Sequence, residues 1–173
     1  MRGLALALSV LLGLGACAPV WRDTGVPMRA VADLDVAAYA GRWYEIARFP
    51  VRFQEGCTAT VAEYGLRDDA RLSVRNACRI GAPDGPERSI SGSAWVVEGG
   101  RLSVQLGWIP FPAPYWVLWV DEEYETAVVG VPSGIAGWIL ARSPEISEER
   151  LAEARSVLEA AGYDVSRLEM TVH

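Results

Sequence analysis

The chain has one histidine, His173, and it is the last residue. That position removes Ser–His and Cys–His nucleophilic catalysis, and in practice any His-based metal site. No glycine-rich phosphate loop occurs. Adjacent carboxylates at Asp68-Asp69 and Asp121-Glu122-Glu123 fall in predicted turns, where such charges are as a rule simply solvated. Glu45 or Glu63 would serve as an acid or base only if desolvated, which is the one enzymatic alternative left open. We expect no catalytic residue, no metal and no cofactor. The remaining chemistry is apolar. Leu102, Val104, Leu106 and Trp108 alternate and give one strand a continuous apolar face. Asn76 shares a face with Leu72 and Val74, where an amide is unfavourable unless bonded. Its partner would be a ligand head group, a neighbouring side chain or water.

Three cysteines are an odd number for an exported chain. Arg2 followed by the apolar run Leu4 to Leu14, too short to span a bilayer, reads as a signal segment over residues 1–16. It ends in Leu14-Gly15-Ala16-Cys17, which resembles a bacterial lipobox. The resemblance implies cleavage before Cys17 and acylation of its thiol, hence attachment to membrane by an N-terminal lipid anchor. Ala18 rather than Asp after Cys17 implies, by the sorting pattern of such lipoproteins, the bacterial outer membrane, with the domain facing the periplasm. Removing 16 of 173 residues leaves 157, one ordinary domain, and losing Arg2 takes the net charge from −6 to −7. An acidic chain excludes nucleic acid and electrostatic docking on anionic lipid. Cys57 and Cys78 remain, at the outer ends of two predicted strands joined by the turn at Arg67-Asp68-Asp69-Ala70. Antiparallel pairing brings them together, so a cross-strand disulfide is expected, two reduced thiols being the alternative.

Residues 17–35, with Pro19, Gly25 and Pro27, read as the lipidated N-terminus and a tether. The domain proper is 36–173. Short segments rich in Val, Trp, Tyr and Leu place strands at 43–50, 58–67, 71–79, 87–97, 101–108, 115–121, 125–131 and 136–142, separated by short turns. Such a series forms an up-and-down barrel or a sandwich. After Pro144, Ser147 can N-cap a helix, Glu148 and Glu149 suit its positive end, and Gly162 its C-terminus. Leu151, Ala154, Leu158 and Ala161 form its apolar stripe. Asp35 to Tyr39 reads as a helical turn at the barrel base, and Val165 to Val172 as a final short strand.

Two motifs favour the barrel. In Gly41-Arg42-Trp43-Tyr44-Glu45-Ile46-Ala47-Arg48-Phe49-Pro50, glycine permits a tight turn or close approach, and the indole two residues on brings a large apolar body with one N–H to satisfy. Near the other end, Gly137-Trp138-Ile139-Leu140-Ala141-Arg142-Ser143-Pro144 ends a strand in an arginine that can stack on an indole and donate to carbonyls. First and last strands meeting through Trp43 and Arg142 would close the sheet on itself. With Ala113-Pro114-Tyr115-Trp116-Val117-Leu118-Trp119-Val120-Asp121 between them, these segments resemble the lipocalins, in particular the bacterial lipocalin and apolipoprotein D branch, from about Val36 to the C-terminus.

The resemblance implies an all-β fold: an eight-stranded antiparallel up-and-down lipocalin barrel with one C-terminal α-helix packed outside. It implies structural roles for Gly41, Trp43, Asp121 and Arg142 at the closed end. It places Tyr64, Asn76 and Trp138 on the pocket wall, joining Val104, Leu106 and Trp108. The partner implied is a fatty acid, a lysophospholipid or a similar apolar ligand, stored or transferred. A filled barrel in a structural or interaction lipoprotein is the alternative. Cys78 departs from the family pattern, so the pocket near it cannot be copied, and a disulfide there would narrow that side of the mouth. The loop from Trp108 to Tyr115, stiffened by Pro110, Pro112 and Pro114, either rims the mouth, with Phe111 and Trp108 near lipid, or packs as a lid.

Overall fold

The computed structural model describes residues 19–69, 71–107 and 109–173. The signal segment, Cys17 and Trp108 lie outside the described residues. A single turn, α1 (Val36–Tyr39), leads into β1 (Gly41–Arg48), β2 (Cys57–Leu66), β3 (Leu72–Ile80), β4 (Glu87–Glu98), β5 (Arg101–Leu106), β6 (Ala113–Val120), β7 (Thr126–Gly130) and β8 (Gly137–Ala141). Each strand pairs antiparallel with the next, and β1 pairs with both β8 and β2, which closes the barrel. The sandwich alternative falls. The closure arises at the places the two terminal motifs marked, because among the described strands β1 alone has neighbours at both ends of the chain order.

Boundaries move by a few residues. β1 starts at Gly41 rather than 43 and stops before Phe49-Pro50, since proline has no N–H to give the ladder. β6 begins at Ala113 and tolerates Pro114 opposite Ser103. The helix α2 (Glu148–Ala160) is capped by Ser147, whose Oγ accepts from the Arg150 N–H at 3.2 Å, and Gly162 follows it at φ +88°. The expected strand over Val165 to Val172 is instead a 3-10 turn at Val165–Arg167 and a two-residue β9 (Glu169–Met170).

That tail fills a gap. The β1–β2 ladder covers only Gly41–Tyr44 against Val61–Tyr64. Above it β1 pairs with β9, the Thr171 N–H donates to the Ile46 carbonyl at 2.9 Å, and the Ala59 N–H to the Val172 carbonyl at 2.6 Å. The last residues therefore act as the missing upper neighbour of both strands.

Two cores share the barrel wall. Inside lie Tyr39, Trp43, Tyr64, Leu72, Val74, Ala94, Leu102, Val117, Ala127, Val129 and Leu140. Between wall and helix lie Ile46, Phe49, Val128, Ile139, Ala154, Leu158 and Tyr163. β7 is buried at every position because alternate residues serve the two cores, so it reads as an unbroken apolar run. The helix stripe read from sequence is the face that meets the barrel.

Residues 19–35 differ from the expected tether. The Trp21 N–H donates to the Gly134 carbonyl and its indole N–H to the Pro50 carbonyl, while Asp23 and Trp21 exchange backbone bonds with Gly162 and Asp164. The buried Arg22 donates from Nε to the Ala161 carbonyl at 3.0 Å, and from its two terminal nitrogens to the Pro132 and Val26 carbonyls. Farther on, Val31 bonds Val117 and Gly100. The segment is strapped along the barrel from one end to the other.

Candidate functional site

The closed end is held by stacking. The Arg142 guanidinium lies 3.8 Å over the Trp43 ring. It donates to the carbonyls of Ala38, Ala40, Arg42 and Tyr124 at 2.7–3.1 Å. The Trp43 N–H meets the Tyr39 carbonyl at 2.8 Å. Gly41 has φ +100°, and a Cβ there would come within 3.2 Å of Arg142 Nη1, so both reasons for a glycine apply. Asp121 accepts from the Glu125 and Thr126 N–H groups and pairs with Arg150, tying the β6–β7 turn to the start of α2. These four residues brace the base.

Above the base the interior changes character. Tyr64, Val74, Ala94, Leu102 and Val117 are fully packed. The next inward tier, comprising Asn76, Ile90, Val104, Leu106, Tyr115 and Trp138, is only half-buried although it faces the barrel axis. Inward side chains that remain accessible define a funnel entered from the end formed by the β1–β2, β3–β4, β5–β6 and β7–β8 connections. Its floor is a tyrosine cluster. The Tyr64 hydroxyl donates to the Tyr115 oxygen at 2.9 Å, and the Tyr39 and Tyr115 hydroxyls lie 2.8 Å apart. Tyr64 thus belongs to the floor, with Trp138 stacked on Tyr115 above it.

Burial pushes the Tyr64 phenol up to about 12, and burial together with the neighbouring phenols holds Tyr39 and Tyr115 well above 10. The unfolded chain ionises these groups near pH 10, the folded chain only higher. The stabilising contribution of Tyr64 is complete below about pH 10 and is lost as pH rises through about 12, and those of Tyr39 and Tyr115 are also lost on the alkaline side of pH 10. Ultraviolet titration should show these phenols silent near pH 10, with alkaline unfolding releasing them together. Normal titration of all tyrosines would contradict the floor.

Toward the mouth the wall becomes polar on one arc. A β-bulge between Glu45 and Ala47 turns both Glu45 and Arg48 inward, opposite Leu140 and Trp138. Glu45 accepts from Arg48, from the Gln54 amide at 2.6 Å and from the Thr171 hydroxyl at 2.7 Å. Gln54 in turn accepts the Trp138 indole N–H at 3.0 Å. Among the described residues, three buried atoms on this arc have no protein partner: Arg48 Nε, Thr60 Oγ1 and Asn76 Oδ1. Buried polar atoms are nearly always bonded, so three without a protein partner on one arc are unusual.

Of the residues expected on the pocket wall, Asn76, Val104, Leu106 and Trp138 are brought together, Tyr64 lies beneath them, and Trp108 is outside the described residues. Sequence reasoning missed Tyr115, Arg48, Gln54 and Thr60. Tyr115 was hidden because β6 is aromatic on both faces. Glu63, the other carboxylate considered for acid–base work, faces outward between Arg42 and Arg75, and its hydrogen bond from Arg42 holds it below the usual carboxylate range. The disulfide forms, joining Cys57 and Cys78 with Cα atoms 5.4 Å apart across a bulge in the β2–β3 ladder. Arg88 donates to Cys57 Sγ and to the Phe53 and Glu55 carbonyls, so the bridge also fixes one side of the rim. Phe111 is exposed on the β5–β6 connection, so this residue does not pack as a lid.

A family model described as a lipocalin-like domain matches residues 34–173. Temperature-induced lipocalin-1 of Arabidopsis thaliana is 36% identical over 155 residues, spanning 83% of this chain and 82% of its own. Outer membrane lipoprotein Blc of Escherichia coli (strain K12) is 37% identical over 155 residues, spanning 88% and 85%. Among solved structures, insecticyanin of Manduca sexta superposes with a TM-score of 0.66 at 21% identity, covering 85% of each chain, a likeness of fold alone.

Proposed function

Because the chain belongs to the lipocalin family, we propose that it is a lipid-anchored carrier holding one fatty acid, lysophospholipid or similar amphipathic molecule in its barrel. Members of the family bind small hydrophobic ligands. The finer reading rests on one observation: a half-open apolar funnel whose wall carries three buried polar atoms without partners. An acyl chain would lie against Val104, Leu106, Tyr115 and Trp138, each buried methylene contributing about 0.8 kcal/mol before ordering costs. Its head group would lie at the arc, where Arg48 Nε and Thr60 can donate and Asn76 Oδ1 can accept. The chemistry is binding and release, with no bond made or broken.

We place the protein at the outer membrane, facing the periplasm, with residues 1–16 removed and Cys17 acylated. The lipobox-like Leu14-Gly15-Ala16-Cys17 and the name of the Escherichia coli relative support this. Mass spectrometry of the membrane-extracted chain would show an N-terminal acylated Cys17, and an uncut or unmodified N-terminus would remove the anchor.

Native mass spectrometry of the soluble domain, before and after delipidation, tests the carrier. The expected result is one acyl-chain species per barrel that returns on adding lysophospholipid or fatty acid. Asn76→Leu should weaken that uptake by about fivefold to tenfold, the worth of one buried hydrogen bond. No uptake at micromolar lipid would favour a filled-barrel interaction protein.

A further inference from the structure

The open end of the barrel carries apolar surface that ligand binding does not use. Phe53, in the 3-10 turn after β1, exposes 65% of its surface, and Phe111, between β5 and β6, exposes 78%. Ile109 on the same connection, Ile135 between β7 and β8, and Val20 are exposed as well. They come from four separate segments that converge on one end. Val20 belongs with them because a Cβ on Gly134 would come within 3.1 Å of its side chain.

The path of the chain into the barrel supplies the second observation. Trp21, Arg22 and Asp23 are clamped to carbonyls of Gly134, Pro132, Ala161 and Gly162, directly beside this rim. Cys17 lies four residues before Trp21, a span of at most about 14 Å. An acyl anchor on Cys17, if present as the carrier reading has it, would be limited by chain length to that distance from the clamped Trp21.

We infer that the apolar rim docks on the surface of a neutral lipid bilayer, with the mouth opening onto the lipid and the Arg22 clamp fixing that orientation. The net charge of −7 left once residues 1–16 are removed directs the rim to zwitterionic rather than anionic lipid. The inference rests on the carrier reading for the anchor, while the rim stands on its own geometry.

The test uses the chain from residue 17 with Cys17→Ser, which keeps every described residue, and phosphatidylcholine vesicles. The unlipidated protein should cosediment with the vesicles. Phe53→Ser combined with Phe111→Ser should reduce partitioning by about tenfold, equivalent to ~1.4 kcal/mol. Val97→Ser, at an equally exposed residue on the β4–β5 hairpin of the closed end, should leave it unchanged. Unchanged thermal midpoints would show that all variants fold. No cosedimentation, or equal partitioning of all variants, overturns the inference. So does self-association abolished by the rim substitutions without vesicle binding, which would make the rim an interface between copies. Lysophospholipid uptake, measured in parallel, separates the two ideas: uptake retained while vesicle binding fails removes the docking alone, and vesicle binding without uptake removes the carrier alone.

Discussion

Trp43→Ala should lower the free energy of unfolding by about 4 kcal/mol, within the range of ~3–5 kcal/mol for truncating a buried tryptophan. Its ring is fully buried, its N–H is the partner of the Tyr39 carbonyl, and its face carries the Arg142 guanidinium. Truncation leaves a void beneath Tyr39 and Tyr64, and exposes the arginine that ties β8 to α1 and β1. Burial already holds the Arg142 guanidinium below its ordinary range. Against a domain stability of about 5–15 kcal/mol, the loss is a large share. Urea unfolding should show a lower midpoint at unchanged slope. Arg142→Met tested singly and with Trp43→Ala should give a coupling between the two of about 0.5–3 kcal/mol, as residues in direct contact do. A loss below about 1 kcal/mol for Trp43→Ala would mean that the base is held by something else.

Replacing both Cys57 and Cys78 by serine should cost about 3 kcal/mol, the chain-entropy value for a loop closed over a separation of 21 residues. The ladder between β2 and β3 is interrupted between Thr58 and Val61, so hydrogen bonding does not fully replace the bridge at that end. Arg88 would also lose Cys57 Sγ, one of the groups that hold it against the Phe53 turn. The same denaturation experiment, run on the double variant and on wild type under reductant, should give matching losses. A difference from wild type near zero would show that the rim and hairpin are ordered without the bridge.

Much of the frame was legible because its signals are local. Ser147 and Gly162 bracket α2, and its apolar stripe has helical spacing. Gly41, Trp43 and Arg142 could be paired because each residue type is unusual at a strand end, and because the family resemblance joined the segments. The site was less legible for a definite reason. Two-residue alternation puts Glu45 and Arg48 on opposite faces, and only the bulge at Ile46 brings both inside. A single inserted residue changes the parity of everything after it, and no composition rule announces one. Thr60 lies beside a second bulge, next to Ala59 at φ +43°. The strapping of residues 19–35 is hidden from the sequence for the opposite reason. The segment's prolines and glycines describe its own lack of regular structure, while its bonds go to Gly134, Gly162 and Val117, more than 80 residues away in the chain.

The position of the tail has a consequence for the order of assembly. A chain delivered N-terminus first presents β1 early, yet its neighbours are β2 on the lower half of one edge, β9 on the upper half, and β8 on the other edge. The upper part of the first strand stays unpaired until residues 137–172 have arrived. Such long-range pairings carry a loop-closure penalty before they are rewarded, which slows folding. The first strand made is the last to be completed, and a chain stopped short of Glu169 is left with an open seam beside Glu45.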